Sequence, residues 1–253
     1  MCTVTWRRTV EGYVLFFNRD ERVTRRAALG PQQSELRGVK YVAPVDGDHG
    51  GSWIGVNEFG VTLCLLNRYN ENENNEGSAY VSRGLLLIDL LDCVHTSSLQ
   101  DRLHEFDLRR FRPFTLLGLT KGFPAIVMHW NGLELSIKPA LETEMLLTSS
   151  SARKPGIVAE RARQYAAFVG SAELDDALMD RFHRTHLPQR GAYSVCMHRA
   201  EASTVSLSKV TVSEGEVEFH YEGGPPCESN GDKAERVMLP LRRAPTAFAG
   251  STE

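Results

Sequence analysis

The chain opens on two short strands joined by a tight turn, and that hairpin fixes where its second residue lies. Residues 3–8 (Thr-Val-Thr-Trp-Arg-Arg) are rich in β-branched and aromatic types, which favour strands. Thr9-Val10-Glu11-Gly12 supplies a turn with a glycine, and Tyr13-Val14-Leu15-Phe16-Phe17 is an apolar run of buried-strand length. A hairpin centred near residues 10 and 11 pairs positions whose numbers sum to about 21 or 22, which sets Cys2 opposite Arg19 or Asp20. Side chains alternate between faces, so Asn18 and Asp20 share one face and Arg19 takes the other. Asp20, not Arg19, is expected to face Cys2.

Cys2 directly follows the initiator methionine. A small second residue permits removal of Met1, and the mature chain then carries a thiol and a free α-amine on one Cα. An α-amine titrates near ~7.7–8.0, so part of it is neutral at pH 7 and able to take a proton. A thiol with its own base attached is a competent nucleophile, as in the threonine version of this arrangement. A carboxylate beside the ammonium would hold it and tune its pKa.

Met1-Cys2-Thr3 together with Phe17-Asn18-Arg19-Asp20-Glu21 resembles the NRDE family, which is named for that tetrapeptide and includes the eukaryotic transport and Golgi organisation protein 2. Gly50-Gly51-Ser52-Trp53-Ile54-Gly55-Val56-Asn57 and Gly60 to Asn67 are similar to a second family segment. The resemblance covers roughly the first 70 residues well and the rest loosely. The family in turn resembles the choloylglycine hydrolase and penicillin V acylase group of N-terminal nucleophile hydrolases. That implies an α+β fold, a four-layer αββα sandwich of two mainly antiparallel sheets, and cysteine-dependent cleavage of linear amides. By this resemblance Cys2 matches the nucleophile, Asp20 the residue that orients the amine, and Asn67 the residue whose backbone helps form the oxyanion hole. The acylases place an arginine ahead of their Asn-x-Asp, where this chain has Phe17. Arg19 and Asn18 are therefore only possible site residues. A second oxyanion asparagine is expected after a later strand, where this chain reads Leu146-Leu147-Thr148-Ser149-Ser150-Ser151, so Ser149 is the possible donor there. Losing one such donor costs about 10²–10³ in rate in another hydrolase. The runner-up is a non-catalytic carrier on the same fold, with a haem or lipid-like ligand, because the eukaryotic relative has been linked to haem handling. A glutamine amidotransferase fits poorly, since Thr3-Val4 follows the cysteine rather than glycine.

Length and composition agree with a single domain over residues 1–238 and a loose tail over 239–253. Apolar content of 42% and charged content of 24% are ordinary for a globule, and a net charge of −3 implies no nucleic-acid or anionic-membrane partner. Five cysteines without regular spacing, and no signal or spanning segment, point to a reduced, cytoplasmic setting and a small-molecule substrate or ligand. Residues 22–50 read as a long connection with a lid. Residues 51–56 and 61–67 form a hairpin across Asn57-Glu58-Phe59-Gly60, and 68–78 a polar surface loop. Helices are expected over 82–96, 98–106, 152–169 and 172–183. Strands are expected over 114–119, 125–130, 133–137, 145–148, 194–198, 204–212 and 216–221, with Asn131-Gly132 as a turn. No cofactor and no metal are read from the chain. His183-x-x-His186 is a capping or surface pair and Asp46-Gly47-Asp48-His49 a turn. Cys64 and Cys196 are inert core residues, and Cys227 is exposed.

Overall fold

The computed structural model describes residues 1–69, 80–141, 145–149, 156–170, 174–229, 231 and 233–243. The chain begins with β1 (Thr3–Arg8) and β2 (Tyr13–Arg22), paired antiparallel with Thr3 opposite Asn18, one of the two registers the turn allows. It crosses to a second sheet and lays down β3 (Leu29–Leu36), β4 (Val39–Val45), β5 (Ile54–Asn57) and β6 (Thr62–Asn67). Helices α1 (Arg83–Asp89) and α2 (Leu99–His104) follow, then β7 (Phe114–Leu119), β8 (Ile126–Trp130) and β9 (Leu135–Pro139). The chain returns as β10 (Leu146–Thr148), passes through α3 (Ile157–Val169) and α4 (Asp176–Arg184), and ends in β11 (Ala202–Val212), β12 (Glu216–Gly223) and β13 (Glu235–Pro240).

The two sheets are antiparallel throughout. One runs β10-β1-β2-β11-β12-β13 and the other β3-β4-β5-β6-β7-β8-β9. Their facing sides share one apolar cluster, with Val4, Trp6, Leu15 and Phe17 against Val42, Ile54, Val56 and Leu117. Leu86, Leu87, Leu99 and Leu103 of α1 and α2 cover the outer side of the seven-stranded sheet. Met179 of α4 packs on Val14, Phe16 and Leu207 across the outer side of the other. Alternation along each strand thus divides apolar residues between a central layer and two outer ones, which gives the helix–sheet–sheet–helix sandwich. Among the described residues no helix is long and apolar enough to cross a membrane.

Several elements differ from expectation, each for a physical reason. Residues 22–50 are not a lid. Most of them form the β3–β4 hairpin, turning at Arg37 (φ 49°) and Gly38 (φ 79°). Leu29–Leu36 is an edge strand with Pro31 and mostly exposed polar residues, so it carries no apolar period to read. The helix expected over 82–96 stops at Asp89. Asn57 Nδ2 donates to the carbonyls of Leu91 (2.9 Å) and Cys93 (2.7 Å), which a continuing helix would need for its own ladder. The same side chain accepts from Phe59 and Val61 N–H, both at 3.0 Å, and so closes the β5–β6 turn. Residues 194–198 form no strand. Cys196 N–H bonds Thr185 O (3.1 Å), Met197 N–H bonds Thr204 Oγ1 (2.7 Å), and only His198 bridges to Ser203. The polar C-terminal region contributes β13, so the ordered sheet reaches Pro240. Most of the polar loop over 68–78 lies outside the described residues, as do residues 152–155, 172 and 173 of two expected helices.

Candidate active site

The β1–β2 hairpin brings Cys2 to the mouth of a cavity of about 510 Å³. The cavity is lined by Cys2, Arg19, Asp20, Glu21, Asn67 and Arg112, with Trp53 and Leu65 as its apolar wall. Cys2 is buried, and its side chain belongs to the cluster between the sheets. Its sulfur is 4.0 Å from the backbone carbonyl of Asp20. Burial raises the thiol pKa, the nearby N-terminal ammonium lowers it, and the Asp20 charge raises it again. The net shift is upward, which disfavours the thiolate.

The four residues of the Asn-Arg-Asp-Glu run divide between the two faces of the strand. Asn18 is fully buried on the helix side, where its Nδ2 donates to His183 O (2.8 Å) and Val195 O (3.1 Å). Arg19 lies on the other face, its guanidinium 3.9 Å from the centre of the Trp53 ring and paired with Asp46. Glu21 pairs with Arg19 (3.4 Å) and Arg25 (3.2 Å). Asp46 and Asp48 are both held by Arg25, at 2.5 and 2.8 Å, and Asp46 Oδ1 also accepts the N–H of Asp48 and His49. The Asp46–His49 segment is thus a turn that anchors the arginines at the cavity rim.

Asp20 turns to the helix side. Its Oδ2 is 3.6 Å from the Met1 amine and 3.3 Å from Arg161 Nη2, and its Oδ1 accepts from Thr204 Oγ1 (2.6 Å). The expected arrangement needs a correction here. The thiol shares its face with Arg19, whereas Asp20 reaches the N-terminal amine from the opposite face. A directly paired cross-strand neighbour shares a face, and in the observed register the position opposite residue 2 is residue 19.

Arg161 of α3 is the residue that the sequence did not reveal. It is fully buried and donates to Met1 O (3.0 Å), Thr3 Oγ1 (2.6 Å), Asp20 Oδ2 (3.3 Å), Ser194 O (2.7 Å) and Tyr193 O (3.4 Å). A lone arginine among the charged residues of a helix gives no sign that it points inward. Its signal is structural: a buried cation needs this many acceptors.

Asn67 ends β6 at the cavity, and its Nδ2 donates to Tyr69 Oη (3.2 Å). Ser149 is buried but is not among the lining residues. Its N–H (3.0 Å) and Oγ (3.3 Å) both bond the Cys2 carbonyl, so it positions Cys2 and turns no donor into the cavity. Arg112 stacks 5.2 Å over Tyr80, and its buried Nε has no hydrogen-bond partner among the described residues.

The two histidines of His183-x-x-His186 part company. His183 is fully buried between Thr5 Oγ1 (2.8 Å) and Asn18 Oδ1 (3.0 Å), and burial lowers its pKa to about 3. His186 lies past the end of α4 with Cys196, His198 and Cys227. Cys64 is a core thiol in the cluster that also holds Cys2, whereas the Cys196 sulfur is 3.5 Å from His198 Nε2. Cys227 is half-buried rather than exposed.

A family model described as Transport and Golgi organisation 2 matches residues 1–204, and the chain belongs to that family. No match was found among the sequences of curated proteins. Among solved structures, a mutant of the conjugated bile acid hydrolase from Clostridium perfringens is 12% identical with a TM-score of 0.59, and the match covers 96% of this chain and 97% of that one. The penicillin V acylase from Agrobacterium tumefaciens is 10% identical with a TM-score of 0.53, covering 88% and 83%. The fold is therefore that of the N-terminal nucleophile hydrolases.

Proposed function

We propose that this member of the Transport and Golgi organisation 2 family is a cysteine-dependent amidohydrolase for small linear amides, with Cys2 as nucleophile once Met1 is removed. The observation that carries the reading is the grouping of thiol, carboxylate and amine at the start of the chain. Cys2 and Asp20 both line the cavity, and the Asp20 carboxylate is 3.6 Å from the N-terminal amine, whose charge acts on the thiol. With Met1 gone, the amine on the Cys2 Cα takes the thiol proton as sulfur attacks the amide carbon. The oxyanion is held by Asn67 and backbone N–H groups. The C–N bond then breaks, the proton passes to the departing amine, and water cleaves the thioester with the same amine as base. Asp20, itself bonded by Arg161, holds the amine in place, and the Arg112 guanidinium in the lining favours a substrate that carries an anionic group.

The position of Ser149 favours a second reading. The Ser149 hydroxyl is on the Cys2 carbonyl, so of the two oxyanion-hole residues suggested by the resemblance Asn67 alone lines the cavity. A chain that retained Met1 would use the cavity to bind a small ligand, haem or lipid-like, without turnover. Intact mass separates the two. Loss of Met1, with turnover of penicillin V, conjugated bile acid or N-acyl amino acid panels that Cys2→Ser abolishes without unfolding, is the expected result. Retention of Met1 in a chain inactive on every amide would move the assignment to a carrier.

A further inference from the structure

We propose that His186, Cys196, His198 and Cys227 form a structural binding site for a soft or borderline divalent cation, with zinc the best fit. These four residues come from three places in the chain. His186 follows α4, Cys196 and His198 lie in the irregular segment before β11, and Cys227 sits in a single helical turn at 226–228. Their ligand atoms all lie within 4.8 Å of one another. For a tetrahedral zinc with Zn–S of ~2.3 Å and Zn–N of ~2.05 Å, the sulfur–nitrogen edge is about 3.6 Å. The observed edges are 3.5 Å from Cys196 Sγ to His198 Nε2 and 3.3 Å from His198 Nε2 to Cys227 Sγ. The fourth corner supplies an independent sign. His186 Nε2 is buried and has no hydrogen-bond partner, an unsatisfied state that ligation would relieve.

Donor chemistry decides the metal. Two thiolates and two imidazoles suit zinc, and two thiolate charges neutralise a divalent ion. Binding displaces both thiol protons. One contact opposes it: Arg190 donates to His198 Nδ1 (3.1 Å), which leaves the ring proton on Nε2, towards the sulfurs. Ligation through Nε2 needs the other tautomer, so Arg190 has to leave the ring. Its guanidinium is more than half exposed and already bonds Glu228 at 3.0 Å, so the release is easily accommodated.

The site also has a structural use. The ligands at 196 and 198 clamp the segment whose carbonyls at Tyr193 and Ser194 receive Arg161 and whose Val195 carbonyl receives Asn18. A closed four-ligand site would hold the wall behind Asp20 rigid while taking no part in chemistry at Cys2.

The test is cobalt and zinc titration of the reduced full-length protein. Expected are a single equivalent of cobalt with tetrahedral visible bands and a thiolate charge-transfer band, displacement by zinc, and a melting temperature that rises with zinc. Cys2→Ser should leave all of this unchanged. Cys227→Ser and His186→Ala should each weaken binding by about a hundredfold or more, whereas Cys227→His should retain a tetrahedral site with weaker charge transfer. Failure of the reduced protein to bind cobalt would overturn the proposal. So would an octahedral spectrum, uptake unchanged in Cys227→Ser, or a Cys196–Cys227 disulfide that forms in preference to metal uptake.

Discussion

Replacing Arg161 with methionine removes the cation that ties α3 to the N-terminus. Its five hydrogen bonds vanish, and Asp20 loses its only fully buried cationic partner. Deleting one member of a buried ion pair costs ~3–5 kcal/mol, because the remaining charge stays desolvated. Asp20 keeps Thr204 Oγ1 at 2.6 Å and the N-terminal amine at 3.6 Å, which places Arg161→Met near the lower end, about 3 kcal/mol. Asp20→Asn preserves shape and the Thr204 contact but leaves the guanidinium with neutral acceptors, at a cost of about 2 kcal/mol. In the double variant neither charge is buried without its partner. Its loss should therefore fall short of the sum by at least about 1 kcal/mol. Urea unfolding at pH 7, followed by far-ultraviolet circular dichroism and tryptophan fluorescence, gives the cycle, provided the slopes stay constant. Losses that add to within a few tenths would refute the coupling and leave Arg161 as a packing residue.

His183 should make the fold acid-sensitive. Its pKa is lowered to about 3 by burial, first of all, and by Arg161 and Arg184. The unfolded chain takes a proton below about 6.5 and the folded one does not, so stability is full above that pH and is lost as pH falls. The loss reaches about 2 kcal/mol by pH 5. Urea midpoints between pH 7 and pH 5 should show this slope, and His183→Gln should flatten it. Asn57→Ala, which strips four hydrogen bonds from a buried turn, should cost about 3 kcal/mol by the same measurement. If the chain hydrolyses amides, Asn67→Ala should lower kcat by about a hundredfold or less with backbone donors remaining. Arg112→Ala should instead raise KM for anionic substrates and leave neutral ones unaffected.

Local signals carried the fold where side-chain period and turn chemistry agree. The β1–β2 hairpin to within one residue of its register, the Asn131-Gly132 turn with Gly132 at φ 100°, and the apolar strands β6 and β7 were legible, because each is set by residues within one hairpin. What the sequence concealed depends on distance along the chain. Asn57 stops a helix more than thirty residues later, and Arg161 crosses from α3 to the first three residues. The polar edge strand β3 has no apolar face to betray it. His186 looked like one half of a helical pair. The helix ends at Arg184, though, and the chain beyond it carries the ring away from His183 towards cysteines ten and forty-one positions on. Spacing arguments that assume one continuous helix cannot reach such a set.

The chemistry of the cavity turns on one peptide bond. His49 is the sole histidine among the described lining residues, and it is exposed, with its backbone held by Asp46, so no buried imidazole stands beside the thiol. Burial raises the Cys2 thiol pKa, which disfavours a resting thiolate while Met1 is present. If the chain hydrolyses amides, the α-amine is the base this geometry favours, and the Asp20 carboxylate lies 3.6 Å from the N-terminal ammonium. While Met1 is present, that amine is one residue away from the sulfur and the Met1 carbonyl occupies Arg161 Nη1. Its removal frees the backbone nitrogen of Cys2 as the α-amine and releases that guanidinium donor. On the proposed mechanism activity depends on methionine removal, and a chain engineered to retain Met1 should match Cys2→Ser in turnover while it keeps the fold.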